Sequence, residues 1–193
     1  MNTDCIRQRF QDSAGVKRIF AEAYASQIET VGRILVKAFQ SGKKLLLFGN
    51  GGSATDASHI AAEFVGRYDR DRAPLSAMAL GTDMAALTCI ANDYTYSDIF
   101  ARHILAHGQP GDVAIAISTS GNSENVLKAV EMARRCEIIT VAWTGKGGGK
   151  LAPLVDHPFI VPSDVTARIQ ECHITLGHVL CEFVEEKLFA NVS

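Results

Sequence analysis

The chain has 193 residues, of which 47% are apolar, enough to bury a sizeable core in one domain over 1–193. Lysines and arginines number 19 against 21 aspartates and glutamates, and the net charge of −2 argues against a broad nucleic-acid surface. Cys5, Cys89, Cys136, Cys172 and Cys181 are odd in number and form no CxxC pair. With no signal peptide and no apolar run near the ~20 residues of a membrane span, they predict reduced thiols in a cytoplasmic protein that binds no membrane.

In chain order, Ile6, Phe10, Val16, Phe20, Tyr24, Ile28, Val31, Leu35 and Phe39 recur at helical spacing. One or two helices are expected over 5–40, ending at Ser41-Gly42 as a C-cap. This N-terminal helical segment, 1–42, precedes the first strand, and its long apolar stripe calls for a partner surface such as a second subunit. From 43 onward the pattern alternates. Strands are expected at 44–48, 75–80, 112–117, 138–143 and 158–161. Helices are expected at 53–66, 83–106 and 123–135, with a short one at 148–153 and a last one at 166–189. Strands separated by helices need crossovers, which makes the fold α/β: a doubly wound, five-stranded parallel sheet with helices on both faces and long terminal helices.

Ligands of such sheets gather beyond the C-terminal ends of the strands. Two loops stand there. Gly49-Asn50-Gly51-Gly52-Ser53 joins the first strand to a helix, and glycines let backbone N–H groups approach an anion at a helix N-terminus. The bland reading is a tight turn with Ser53 as helix cap. Gly49-x-Gly51-x-x-Ala54 also fits a dinucleotide fingerprint, but Asp69 lies before the second strand and Asp83 comes late for the ribose-binding acid. The second loop, Ser118-Thr119-Ser120-Gly121-Asn122-Ser123, offers four hydroxyls ahead of a helix and holds no lysine or arginine. Neutral donors with a helix dipole suit a phosphate monoester. Gly145-Lys146-Gly147-Gly148-Gly149-Lys150 imitates a P-loop but has Thr144 and Leu151 where glycine and a magnesium-binding hydroxyl belong, so it reads as a plain loop.

His59 and Glu63 share one face at i, i+4 among apolar neighbours, which predicts a partly buried pair. A helix hydrogen bond would explain it as well as a catalytic or metal role. On the last helix, Gln170 is flanked by His173 on one side and His178 on the other in projection, and spacing alone does not choose between the histidines. His103 and His107 have no carboxylate or phosphate loop nearby in sequence and read as surface or interface residues.

Taken in order, Gly49-Asn50-Gly51-Gly52-Ser53, His59-x-x-x-Glu63, Asn92-Asp93, Ser118 to Ser123 and Arg168-Ile169-Gln170-Glu171 resemble the phosphoheptose isomerases of the flavodoxin-like sugar isomerase (SIS) fold. The resemblance spans nearly the whole chain. It implies conversion of sedoheptulose 7-phosphate to D-glycero-D-manno-heptose 7-phosphate, the entry to lipopolysaccharide-core heptose. It also implies a homotetramer and one divalent metal per subunit, zinc, at His59, Glu63, Gln170 and His178. Substrate contacts carried over are Asn50, Gly51, Gly52, Ser53, Glu63, Asn92, Asp93, Ser118, Thr119, Ser120, Ser123 and Gln170. An aldose–ketose isomerisation through an enediolate needs a base and an acid, for which Glu63 and His178 are the candidates. Gln170 and His178 are eight residues, hence about 12 Å, apart along one helix, so a neighbouring subunit is expected to bring one of them to the site. The rival readings are a replication-initiator-binding protein of the same fold, which departs at the catalytic glutamate, and a sugar-phosphate sensor, which carries an extra DNA-binding domain.

Overall fold

A computed structural model describes residues 1–190. Five strands, β1 (Leu45–Gly49), β2 (Ala77–Ala79), β3 (Val113–Ser118), β4 (Ile139–Thr144) and β5 (His157–Ile160), form one parallel sheet in the order β2-β1-β3-β4-β5. The register pairs Leu45 with Ala77 and Val113, and Gly49 with Ile117. Strand order reverses between β1 and β3, so the loops leaving these neighbouring strands open onto the switch-point crevice where open α/β sheets bind ligands.

Alternation along the strands decides which helix covers which face. Leu45, Leu47, Val113, Ile115 and Ile117 pack toward α1 (Thr3–Gln40), α2 (Gly52–Val65) and α6 (Thr166–Phe189). Leu46, Phe48, Ala114 and Ala116 pack toward α3 (Met84–Asp93), α4 (Ile99–His107) and α5 (Glu124–Arg135). Helices therefore cover both faces, as the alternation of elements predicts, and α2 and α6 share one face.

The N-terminal stripe forms a single 38-residue helix whose end is capped at Ser41, with Gly42 at φ +69°. It buries Phe20 near its middle and Val31 and Leu35 in its C-terminal half, and a side chain on Gly32 would strike the Phe183 ring of α6. Ile6, Phe10 and Ile19 stay exposed on its N-terminal half.

Two expected helices differ. The stretch expected at 83–106 breaks at Tyr94-Thr95, where Thr95 turns extended and its hydroxyl bonds to Ser97 and Asp98, redirecting the chain through a 3-10 turn into α4. The short helix expected at 148–153 is two 3-10 turns, because Gly147, Gly148 and Gly149 all take left-handed φ.

Beyond α2 the chain is tied to α6 by a buried ion pair. Arg72 and Glu185 are 0% and 2% exposed and meet at 2.7 Å. Arg72 also donates to the carbonyls of Glu63 and Phe64, satisfying the C-terminal end of α2. Burial alone would raise the Glu185 carboxyl, but the N–H groups of Asp69, Tyr68 and Arg70 and the Arg72 guanidinium outweigh it and hold the pKa below the ordinary glutamate value. A carboxylate held low adds stability that is present at neutral pH and is lost as pH falls through its folded pKa. Glu185→Gln, which leaves Arg72 buried and unpaired, is expected to cost about 3–5 kcal/mol at neutral pH by urea unfolding. The difference from wild type should narrow below about pH 4, as the native carboxylate is titrated; a constant difference across that range would show that the charge is not what matters.

Candidate active site

At the head of the crevice, Gly51 caps α2 with φ +56° and no side-chain bond, and the N–H groups of Ser53 and Ala54 turn back onto the Asn50 and Gly51 carbonyls. Gly49 has no room for a side chain, since a Cβ would lie 2.7 Å from both the Ile117 carbonyl and the Ser53 Cβ. Ser53 is buried in the first turn rather than capping it, which sets aside the cap reading. Gln170 of α6 lies against this loop: a Cβ on Gly52 would be 2.3 Å from its Nε2.

The hydroxyl loop stands beside it. Ser118 is buried, and its hydroxyl meets that of Ser123 at 3.1 Å. Ser123 occupies the N-cap of α5, yet its side chain caps no α5 amide. The hydroxyls are thus not consumed by the helix. Asn50 and Asn125 join the two loops through reciprocal amide bonds of 2.9 and 2.8 Å, and the Tyr96 hydroxyl donates to Asn50 Oδ1 at 3.0 Å. Asn50, Ser123, Asn125, Thr95 and Tyr96 line a cleft of about 600 Å³ between the loops. Asn125 and Tyr96 are residues the sequence reading missed. Asn125 carries no motif of its own, and Tyr96 reaches the site only through the unforeseen turn after α3. Asn92 and Asp93 end α3, exposed and bonded to each other, and do not line this cleft. The Asp83 carboxylate caps α3, and Asp69 lies beyond the C-terminal end of α2, the end opposite the glycine loop, so neither serves as a ribose-binding acid.

Farther along α2, His59, Glu63 and His178 come together within one chain. The His59 Nε2 lies 3.2 Å from Glu63 Oε1 and 3.4 Å from the His178 Nε2. One ligand atom from each of the three falls within 4.8 Å of the others. Bonds of about 2.0–2.1 Å in a tetrahedral site place ligands about 3.3 Å apart, so the two short separations fit edges of a zinc tetrahedron. The expected burial holds for Glu63 but not for His59, whose side chain is 49% exposed because its face of α2 turns outward. Gln170 does not join them: Gly52 and Gln170 face each other at one level, and His59 and His178 at another, because α2 and α6 run parallel.

Of the two histidines flanking Gln170, His173 is removed. It is fully buried, its Nε2 lies 3.1 Å from the Thr144 carbonyl, and burial pulls its pKa down to about 4. A neutral ring bonded to the end of β4 anchors α6. His103 likewise departs from the surface reading: it is buried on α4, stacked on His107, and burial lowers its pKa.

Such loops at the switch point of this sheet define a SIS-domain protein, and the SIS domain family model matches residues 10–145. Within that class the chain belongs to the phosphoheptose isomerase family. It is 55% identical over 186 residues to the phosphoheptose isomerase of Thermodesulfovibrio yellowstonii, covering 96% of this chain and 92% of the relative. Its fold matches a phosphoheptose isomerase from Francisella tularensis with TM-score 0.92 at 36% identity, covering 96% of this chain and 100% of the other. The enzyme from Neisseria gonorrhoeae matches with TM-score 0.89 at 38% identity, covering 95% and 98%.

His178 reaches His59 because Gly177 lets the helices touch: a Cβ there would lie 2.4 Å from Ile60 Cδ1 and 3.2 Å from the Trp143 ring. Gly177→Ala should cost about 1–3 kcal/mol by overpacking, as α6 is pushed off α2. Adding Ile60→Ala should make the pair more stable than the sum of the single changes, by about 1 kcal/mol or more. Strict additivity in unfolding experiments would show that this contact does not set the helix spacing.

Proposed function

We propose that the chain isomerises sedoheptulose 7-phosphate to D-glycero-D-manno-heptose 7-phosphate, with its phosphate held between the Gly49–Ser53 and Ser118–Ser123 loops and its C1–C2 end at Glu63 and His178. The observation that carries this is the placement of both sites on one helix. Gly52 opens α2 at the phosphate loops, and His59 follows seven residues later, about 10 Å along the axis. A seven-carbon phosphate ester spans that interval. The resemblance in sequence to named phosphoheptose isomerases supports the same substrate.

His59, Glu63 and His178 would hold zinc; when bound, it acts as a Lewis acid toward the negative charge developing on the enediolate. Glu63 Oε1 belongs to that cluster, so Oε2 is the oxygen that removes the C1 proton of the ketose and returns it to C2. The His178 Nε2 faces the same cluster, so its Nδ1 is the nitrogen left to move the hydroxyl proton from O1 to O2, completing the exchange of carbonyl and alcohol. Neutral hydroxyls and amides bind the phosphate without a cationic side chain, which leaves the helix dipoles of α2 and α5 to favour its charge. An interaction protein or sensor of the same fold would not need Glu63 and His178 gathered in this way.

The wild-type protein, supplied with zinc, should convert sedoheptulose 7-phosphate to the aldoheptose phosphate. Glu63→Gln should retain the fold and lose about 10²–10⁴ in turnover. No conversion by the metal-loaded wild type, or near-normal turnover in Glu63→Gln, would reject the reading.

The protein works as a homotetramer in the cytoplasm, feeding heptose to surface glycans such as the lipopolysaccharide core. What supports assembly is the exposed Ile6, Phe10 and Ile19 on α1, together with a ligand set that one chain leaves a member short. Gln170 stands at the Gly52 level, about 12 Å up α6 from His178. Gln170 of the partner subunit is therefore the residue to complete the zinc site, while Glu63 and His178 come from the same chain. Mixing Gln170→Ala with His178→Ala protein under subunit exchange should recover activity, whereas mixing Glu63→Gln with His178→Ala should not. Recovery in the second mixture but not the first would reverse this assignment.

A further inference from the structure

The glycine run from Gly145 to Gly149 takes no part in the chemistry above, yet it is pressed against the back of the hydroxyl loop. The Gly145 N–H donates to the Thr119 carbonyl at 3.2 Å, and the Leu151 N–H donates to the Gly121 carbonyl at 2.9 Å. The Lys150 N–H donates to Asn122 Oδ1 at 3.1 Å, while Asn122 Nδ2 donates to the Ser120 carbonyl at 2.9 Å. Between these bonds the two backbones approach too closely for any side chain. A Cβ on Gly121 would lie 2.1 Å from the Gly148 carbonyl oxygen, and one on Gly149 would lie 2.5 Å from the Ser120 carbonyl oxygen.

Three successive carbonyls of the hydroxyl loop, those of Thr119, Ser120 and Gly121, are thus occupied by donors from the glycine run or from the Asn122 clasp. A carbonyl oxygen turned toward a phosphate repels it, whereas successive N–H groups turned toward it form an anion-binding nest. The N–H groups of Thr119, Ser120 and Ser123 donate to no acceptor among the described residues. Left-handed φ at Gly121, Gly148 and Gly149 is the conformation that lets the two loops mesh.

We propose that Gly145 and Gly148–Leu151 form a backbone template for the phosphate cradle, with Gly149 and Asn122 as positioning residues that hold the carbonyls of the hydroxyl loop away from the anion. It rests on the reading of Ser118–Ser123 as the phosphate site. The template acts on binding of the phosphate group and leaves proton transfer alone, so its loss raises KM and the dissociation constant of inorganic phosphate with little change in kcat.

Gly147 supplies the control. It shares the left-handed conformation, φ +77°, but a Cβ there meets nothing within 4 Å. Gly149→Ala, Gly147→Ala, Asn122→Ala and the Ser118→Ala/Ser120→Ala double variant are compared with wild type. Inorganic phosphate binding is read by calorimetry, KM and kcat with the sugar phosphate, and folding by circular dichroism. Gly149→Ala should weaken phosphate and raise KM about tenfold or more with kcat within about threefold, Asn122→Ala should move the same way, and Gly147→Ala should stay near wild type. Should Gly149→Ala fail to fold, Asn122→Ala decides, since it removes the clasp without backbone strain. Normal phosphate affinity in Asn122→Ala and in folded Gly149→Ala, alongside its loss in the double serine variant, would overturn the template. So would equal impairment in Gly147→Ala, which would reduce the effect to loop strain. Full phosphate affinity in the double serine variant would remove the cradle itself, and this proposal with it.

Discussion

Helices α2 and α6 lie parallel on one face of the sheet, and the candidate site exists because they touch. Gly177 leaves Ile60 room to seat against α6. About two turns beyond Gly177, Arg72 and Glu185 close the C-terminal ends of the two helices around a buried charge pair. A buried ion pair often gives little net stability compared with an apolar filling, so its value here lies in register. Arg72 holds the last carbonyls of α2, and Glu185 collects three amides of the following loop. Sliding α6 by one turn would break all of these and carry His178 away from His59 and Glu63. His173 adds a third tie, from α6 to the end of β4.

With α2 and α6 in register, the sheet supplies the other end of the site. Reversal of strand order between β1 and β3 sets the two loops side by side, and the Asn50–Asn125 amide pair joins them. Both helices that leave these loops aim their N-termini into the crevice, which suits an anion. In the proposed function, phosphate recognition at the mouth and proton transfer farther along α2 would be separated by rigid helix, which would fix the length of substrate that can bridge them.

Much of this was legible in the residues. Apolar runs bounded by glycine and polar turns placed four of the five strands to within about a residue, and β2 alone shrank, being an edge strand whose Leu75 turns back to bond the Phe64 carbonyl of α2. The i, i+4 pair of His59 and Glu63 was visible because helical spacing is local. What was not visible depends on contacts distant in sequence. Arg72 and Glu185 are 113 residues apart, and nothing local marks either as buried. Gly177 in mid-helix reads only as a weak helix former until Ile60 is seen against it. The break at Tyr94-Thr95 lacks glycine or proline, so a hydroxyl-led turn passed for continuous helix and hid Tyr96. His173 and His178 could be told apart only by what packs around them.

The proposed isomerisation turns on proton transfer at carbon by Glu63, with the sugar phosphate held by its far end. Running the isomerisation in heavy water tests this most directly, with the aldoheptose phosphate examined by nuclear magnetic resonance. A carboxylate that carries the proton exchanges it with solvent, so deuterium should appear at C2 of the product. Product with the C1 hydrogen of the ketose transferred intact to C2, and no deuterium there, would indicate a hydride shift and contradict the assignment.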